Sequence, residues 1–419
     1  MKHFFSLLSL LTAFFYPHAQ DIKKYVQQNT VAVKSIVPDS FDYADLEPIG
    51  NAIGDARIVM LGEQDHGDAP AYLAKTRLIK YLHEKKGFTV LVFESDFFGL
   101  TFGWGNLPKN QSDVAIFSQG NIYPVWSLCD ACQELFKRYI PKTQSSASPI
   151  QLAGLDNQLV LNYSSRYLSK KLDSVLRSHN LPITKEPNYA TEIFPLIDSC
   201  KRSTLKDTTQ YSRQLNYLLT IKDQLEKVLP ADDLWMRVLD NLVSENSRSR
   251  NTDRPLVVFN ERDKQMALNL LWLSNVKYPT EKIIVWAQNA HISKDAGHYD
   301  NSYLDVYDYM GSVFDAIKSP ELKTYTLGFA SYKGTAGRIT TAKTETVKDP
   351  KKNGFENWIN ESYNFAFTDL SKFNRDNPGN RSEFFMKGHD HFNSVKTDWQ
   401  HKFDGIFFIR EMYRCRSVL

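Results

Sequence analysis

Several things this sequence lacks narrow its function before anything it contains is weighed. It has almost no charge surplus, a formal +3 over 419 residues, and no long basic run. A nucleic-acid partner would need a concentrated basic patch, so none is expected. No G-x-S-x-G elbow is present, so a serine nucleophile of that type has no support. No Walker loop and no G-x-G-x-x-G follows a strand, which removes the usual nucleotide cradles. No H-E-x-x-H or other compact pair of metal ligands occurs, and neither an internal repeat nor a low-complexity linker is found. Cysteine is scarce: Cys129, Cys132, Cys200 and Cys415 are too few to build a disulfide scaffold of this size. Cys129 and Cys132 have C-x-x-C spacing without a second such pair, so a structural zinc site is poorly supported. Ordinary helical cysteines, or one incidental disulfide in an oxidising compartment, are expected.

The remaining composition is that of a globular chain, 42% hydrophobic and 24% charged, and rich enough in Phe and Tyr to bury a sizeable core. The first 20 residues read as a secretory signal. Lys2 supplies the positive charge, Phe4 to Tyr16 the apolar stretch, and Pro17-His18-Ala19-Gln20 a cleavage region. A membrane anchor is the alternative, but a span needs about 20 apolar residues and this run is shorter. No other stretch approaches a span. A periplasmic or secreted protein is therefore expected, with one domain over residues 21–419 and no stable membrane span once the signal is removed.

Apolar runs alternate with helical patterns. Arg57–Leu61, Phe88–Phe93, Ile150–Leu155 and Lys282–Ala287 are predicted strands, with later candidates at Thr324–Phe329 and Gly405–Ile409. Pro70–Lys86 is a predicted helix, opened by proline and closed by Gly87. Between the third and fourth strands, Leu218, Ile221, Leu225 and Val228 keep helical spacing, as do Leu234, Val238, Leu239 and Leu242. This pattern predicts an α/β fold: a mainly parallel central sheet covered by helices, with a large helical insertion at about residues 159–276.

Ligands of such sheets bind beyond the carboxyl ends of the strands. Those ends read Gly62-Glu63-Gln64-Asp65-His66-Gly67, Glu94-Ser95-Asp96, Asp156-Asn157-Gln158 and Gln288-Asn289-Ala290-His291. This is the material of an acid–base site. An imidazole takes and gives protons at neutral pH, and a carboxylate beside it fixes its tautomer. Glu63 or Glu94 is expected to play that part for His66, and His291 to assist a leaving group or hold a water. Lys75 and Arg77, in the following helix, are candidates to reach back to the carboxylates or to an anionic intermediate. Each residue alone has an ordinary structural explanation, and only the set points to a site. Phe97, Phe98, Phe102, Trp104, Tyr123 and Trp126 are expected either to line the approach or to form a satellite hydrophobic cluster. The same His and Glu residues are ligand types that zinc accepts, so a metal assembled from distant loops competes with the metal-free reading.

The segments Leu61–Gly67, Lys75–Ile79 and Gly87–Glu94 resemble the opening of the erythromycin esterase family. Glu261–Ala267 and Lys282–Ile292 are similar to its second block, and Met310-Gly311 with Thr324–Gly334 fits its downstream pattern. The likeness runs from Ala52 to Gly334, and weakly over Phe403–Ile409. It implies a bacterial hydrolase that activates water without metal or cofactor. His66 would be general base, oriented and charge-tuned by Glu63 and Glu94, with His291 as the second family histidine. Lys75 and Arg262 match basic positions of the motifs. With Arg77, Gln288, Asn289 and Trp126 they make up the expected substrate-binding set. The family's characterised esterases open the lactone of macrolide rings, an antibiotic-resistance activity. One position departs from the family: Gln288 stands where it has a histidine, and Gln hydrogen-bonds but does not shuttle protons at neutral pH.

The function expected is thus metal-independent hydrolysis of a small-molecule ester or lactone. A non-catalytic small-molecule binding protein on the same fold and a metal-dependent hydrolase are the alternatives.

Overall fold

The computed structural model describes residues 21–200, 207–295, 297, 299–300 and 304–419, so the expected signal segment at 1–20 lies outside the described residues. Strands form at β1 (Val31–Val33), β2 (Ile58–Leu61), β3 (Phe88–Asp96), β4 (Gln151–Asp156), β5 (Lys282–Trp286), β6 (Thr324–Ala336), β7 (Glu345–Thr346), β8 (Phe365–Asp369), β9 (Phe384–Met386), β10 (Val395–Thr397) and β11 (Gly405–Met412). The main sheet runs β1-β8-β11-β6-β2-β5-β3-β4, with β7 beside β6 and a separate β9–β10 pair. From β11 to β4 every pairing is parallel. Beyond them β8 runs antiparallel to β11, and the edge strand β1 antiparallel to β8.

The near-continuous apolar strands are explained by burial on both faces. Ile58 and Met60, Val90 and Val92, and Ile283 and Val285 face one core. Val59 and Leu61, Leu91 and Phe93, and Ile284 and Trp286 face the other. Side chains alternate across a strand, so neither face of these central strands has a polar side. The first core also holds Leu218, Leu239, Met266 and Leu270 of the expected insertion. That insertion is helical: Asn162–Ser178, Thr208–Leu225, Leu234–Arg250 and Pro255–Trp272. The second core holds Leu78 and Leu82 of the Ala69–Lys86 helix, together with Trp126 and Leu135. That helix has Pro70 in its first turn and stops at Gly87, which adopts the left-handed conformation at φ 75°.

The register sets up the site. Leu61 and Phe93 both lie opposite Trp286, and Phe93 lies opposite Gly154. The two residues beyond this row bring in Glu63, Gln288, Glu94 and Asp156 on one edge of the sheet. Among the described residues no helix is long and apolar enough to cross a membrane.

Candidate active site

Glu63 follows β2 and is fully buried. Lys75, one residue type that rarely survives inside a protein uncharged and unpaired, closes onto Glu63 Oε2. Its ammonium also lies 4.4 Å from the centre of the Trp286 ring. Burial pushes the Lys75 ammonium down from its ordinary range, opposed by the Glu63 carboxylate. Trp126 Nε1 donates to Glu63 Oε1 at 3.1 Å, and the same oxygen lies 3.3 Å from His66 Nδ1. A carboxylate only accepts, so Nδ1 is the donor in that contact. His66 also packs edge-on against Trp126, ring centres 5.0 Å apart. Nε2 lies 3.8 Å from Glu94 Oε1.

Glu94 sits inside β3, not after it, because the strand continues to Asp96. Its Oε1 accepts from Arg262 Nη2 at 2.7 Å and faces His291 Nε2 at 3.2 Å, while Oε2 accepts from the Gln288 backbone N–H at 3.0 Å. Burial alone would raise this carboxyl. The His291 and Arg262 charges outweigh it and hold it well below the usual range. Arg262 also bonds Asp156 Oδ2 at 2.7 Å and lies 3.0 Å from His291 Nε2. His291 Nδ1 lies 2.8 Å from Asp263 Oδ2, which accepts the Met310 N–H as well. Burial would lower the imidazole's pKa, but Asp263 and Glu94 lift it to about 10.

Solvent reaches only part of this cluster. The side chains of Glu63 and Glu94 are 0% and 1% exposed, whereas His66 keeps 14% and Arg262 16%. His66 and Arg262 are therefore the members of this cluster that solvent reaches.

The structure brings together His66, Glu63, Glu94, His291, Lys75, Arg262 and Trp126. Three expected binding residues are placed otherwise. Arg77 turns away and is bound by Asp45 Oδ1 and Oδ2 at 2.6 and 2.9 Å and by the Ser35 and Asp42 carbonyls. Asn289 is fully buried and spent on backbone: it donates to the Phe329 and Gly388 carbonyls and accepts the Phe329 N–H. Gly62 is needed here, since a Cβ would collide with that carboxamide. The Gln288 side chain donates to the Gln64 carbonyl at 3.0 Å and ties the two strand-end loops together. Among the aromatics, Tyr123 donates to Asp156 at 3.2 Å. Phe98 and Phe102 instead stack on each other and pack against Trp235 of the insertion, and Phe97 packs on Trp272. Trp104 bonds Gln151, the first residue of β4, at the opposite edge of the sheet. Phe97, Phe98 and Phe102 thus belong to the core that holds the insertion, and Trp104 to the core on the other face of the sheet.

Asp156 and Asp263 complete the charge set. The first was visible as a strand-end carboxylate and the second as the neighbour of Arg262, but only proximity shows what each binds. The motif loop is braced from the far side by a buried run, Asp68–His391–Ser331, with contacts of 2.8 and 3.0 Å. Nothing in the spacing of those three residues signals it. Cys129 pairs with Cys415 in a disulfide, not with Cys132, which is a free buried thiol like Cys200.

The strand ends of this parallel sheet thus gather imidazoles, carboxylates and buried cations at one place in an α/β fold. The family model for erythromycin esterase matches residues 83–412, and the chain belongs to the erythromycin esterase family, which makes it a hydrolase. It is 26% identical over 329 residues to "Putative hydrolase YbfO" of Bacillus subtilis (strain 168), covering 73% of this chain and 71% of that one. It is 24% identical over 305 residues to erythromycin esterase type II of Escherichia coli, covering 66% and 70%. The fold is shared with a Bacillus cereus protein, at TM-score 0.70 and 20% identity over 95% of this chain and 98% of that one. It is also shared with an erythromycin esterase mutant in its open conformation, at 0.68 and 18% over 93% and 99%. The family match begins after the Glu63–His66 motif, so that motif's place in the site rests on the geometry.

Proposed function

We propose that the protein hydrolyses an ester or lactone of a small molecule, with His66 as general base on water and no metal in the reacting centre. The observation that supports this is the His66–Glu63 contact at 3.3 Å, which holds the ring through Nδ1 at the solvent-reached edge of the cluster and would leave Nε2 to meet a water. His66 Nε2 takes a proton from water as the oxygen adds to the carbonyl carbon. The carbonyl electrons move to oxygen, and Arg262 with the His291 imidazolium supplies positive charge to that oxyanion. Collapse breaks the ester C–O bond, and the His66 proton passes to the leaving alkoxide.

The metal-free reading is supported by what stands between the carboxylates. Arg262 lies 2.7 Å from an oxygen of both Glu94 and Asp156 and brings the charge that an ion would supply. Among the described residues, the one set of three His, Cys, Asp or Glu ligand atoms close enough to share an ion is Cys129, Asp130 and Cys415. Two of those are a disulfide. Macrolide lactones belong among the substrates to be tried, although Gln288 is engaged with a backbone carbonyl where the family has a histidine. Export to the periplasm or medium is proposed with this reading, supported by the leader-like N-terminus and the disulfide. Cell fractionation checks it.

The deciding experiment is hydrolysis of a panel of esters and lactones, macrolides included, by chelator-treated wild type and His66→Ala. Wild type is expected to stay active and the variant to lose about 10²–10⁴-fold. Loss on chelation with recovery on zinc would replace the metal-free reading. A ligand bound but never consumed would make the protein a binder.

A further inference from the structure

Beside the reacting centre lies a cavity of about 750 Å³ whose wall includes His389, Asp390 and Phe392, with Lys348, Asp349 and Lys351 at its rim. This is the size of a small-molecule site. It is fastened to the site through backbone. Gln64, the residue after Glu63, donates to the Lys387 and Asp390 carbonyls at 2.6 and 3.2 Å. Asn289, the residue after Gln288, donates to the Gly388 carbonyl at 2.6 Å. His389 is thus carried on a segment held by both catalytic loops.

An aromatic path also joins the two. Phe259 stacks on His291 with ring centres 5.3 Å apart, Tyr309 meets Phe259 at 5.8 Å, and His389 meets Tyr309 at 5.3 Å.

The chemistry of the wall selects against ions. Two ammonium groups, Lys348 and Lys351, stand among the Asp300, Asp349 and Asp390 carboxylates, so the lining carries both signs of charge. Burial pushes the His389 imidazole down to about 4, which leaves it neutral, with Nε2 engaged by the Tyr299 hydroxyl at 3.3 Å and Nδ1 as its other polar atom. Asn393 and Ser394 add further donors and acceptors, and Phe392 adds an apolar face. Alternating hydrogen-bond partners beside aromatic faces match an uncharged ring bearing several hydroxyls. We infer that this cavity binds an uncharged polyhydroxylated group of the substrate, a glycoside or cyclic polyol, with His389 as a specificity-determining residue. The inference rests on the hydrolase reading only in taking that group as the non-reacting part of the ester. Its binding energy would be used at the reacting centre.

The test uses the full chain and two readouts. Methyl glucoside, galactoside and mannoside and myo-inositol are titrated calorimetrically against wild type, His389→Phe and the rim variant Asn393→Ala. Hydrolysis of mono-acetylated methyl glycosides is compared with that of 4-nitrophenyl acetate. At least one polyol is expected to bind wild type at roughly millimolar strength, and each variant to weaken it about tenfold, the effect of one lost hydrogen-bonding group. KM for the acetylated glycoside should rise in step while the 4-nitrophenyl acetate rate holds. Absence of polyol binding to wild type, or full binding by both folded variants, overturns the proposal. If 4-nitrophenyl acetate is hydrolysed without polyol binding, the subsite fails and the hydrolase stands. Polyol binding without any hydrolysis leaves the subsite and removes the hydrolase. If His389→Phe does not fold, Asn393→Ala decides.

Discussion

Lys75 and Arg77 leave one helix on opposite sides, Lys75 to Glu63 in the reacting centre and Arg77 to Asp45 behind it. Two residues turn a helix by about 200°, so both cannot serve one site. Arg77 is a structural cation. Its removal leaves Asp45 buried with its charge unpaired, a carboxyl that burial pushes up and Arg77 holds below its ordinary range. Arg77→Ala is expected to cost about 3–5 kcal/mol of stability, seen in denaturant melts, with kcat of the folded fraction preserved. A folded Arg77→Ala protein with much reduced kcat would put Arg77 back in the site.

Glu63 accepts from Trp126 and Lys75 and faces His66. Replacing it with Gln keeps the shape but lets an amide N–H meet Nδ1, which favours the wrong tautomer. Glu63→Gln is expected to lower kcat by about 10²–10⁴-fold with KM little changed. Steady-state kinetics with a circular dichroism control measure this. A change confined to KM would assign Glu63 to binding.

Asp263 is the partner that most favours a charged His291. The imidazole's folded pKa of about 10 lies above its unfolded value of about 6.5. Its contribution to stability is therefore full below about 6.5 and is lost as pH rises through about 10. Glu94 acts in the opposite direction, since its depressed pKa stabilises above the ordinary carboxyl range and fails as pH falls through the folded value. Asp263→Asn should bring the His291 ring titration down, as followed by NMR of labelled histidine, and flatten the alkaline loss of stability. A wild-type His291 that titrates near 6.5 would refute the assignment.

The Cys129–Cys415 disulfide joins residues 286 apart in sequence at the two flanks of the motif loop. Cys129 N–H donates to the Trp126 carbonyl, and Cys415 N–H to the Gly67 carbonyl at 2.8 Å. Cys415→Ser is expected to lose about 2–4 kcal/mol of stability and to lower kcat more than it raises KM, because Trp126 and Gly67 lose their shared clamp. Dithiothreitol should do the same to wild type and nothing further to the variant. Unchanged kcat in the folded, reduced protein would limit the bond to stability.

Much of this architecture is legible in the chain. The runs at Ile58–Leu61, Ile283–Trp286 and Val90–Phe93 are apolar at every position because both sheet faces are covered, and the polar groups gather where the strands end. The helical insertion follows from spacing alone. The antiparallel edge β1–β8 was not legible, since edge strands of three and five residues carry too little pattern. Nor was the sorting of the aromatics: Trp126 and Trp104 look alike in sequence, yet one bonds Glu63 and the other the far edge of the sheet.

The sequence by itself determined the α/β class, the strand ends that hold chemistry and the Glu63, His66, Glu94 and His291 set, because periodicity and strand boundaries are local properties of the chain. Tertiary structure alone decided which partner each charge takes. It sent Arg77 to Asp45, placed Arg262 between Glu94 and Asp156, and paired Cys129 with Cys415. Those pairings depend on which distant segments meet in a low-dielectric interior, where an unpaired charge is costly, and no local spacing encodes that meeting.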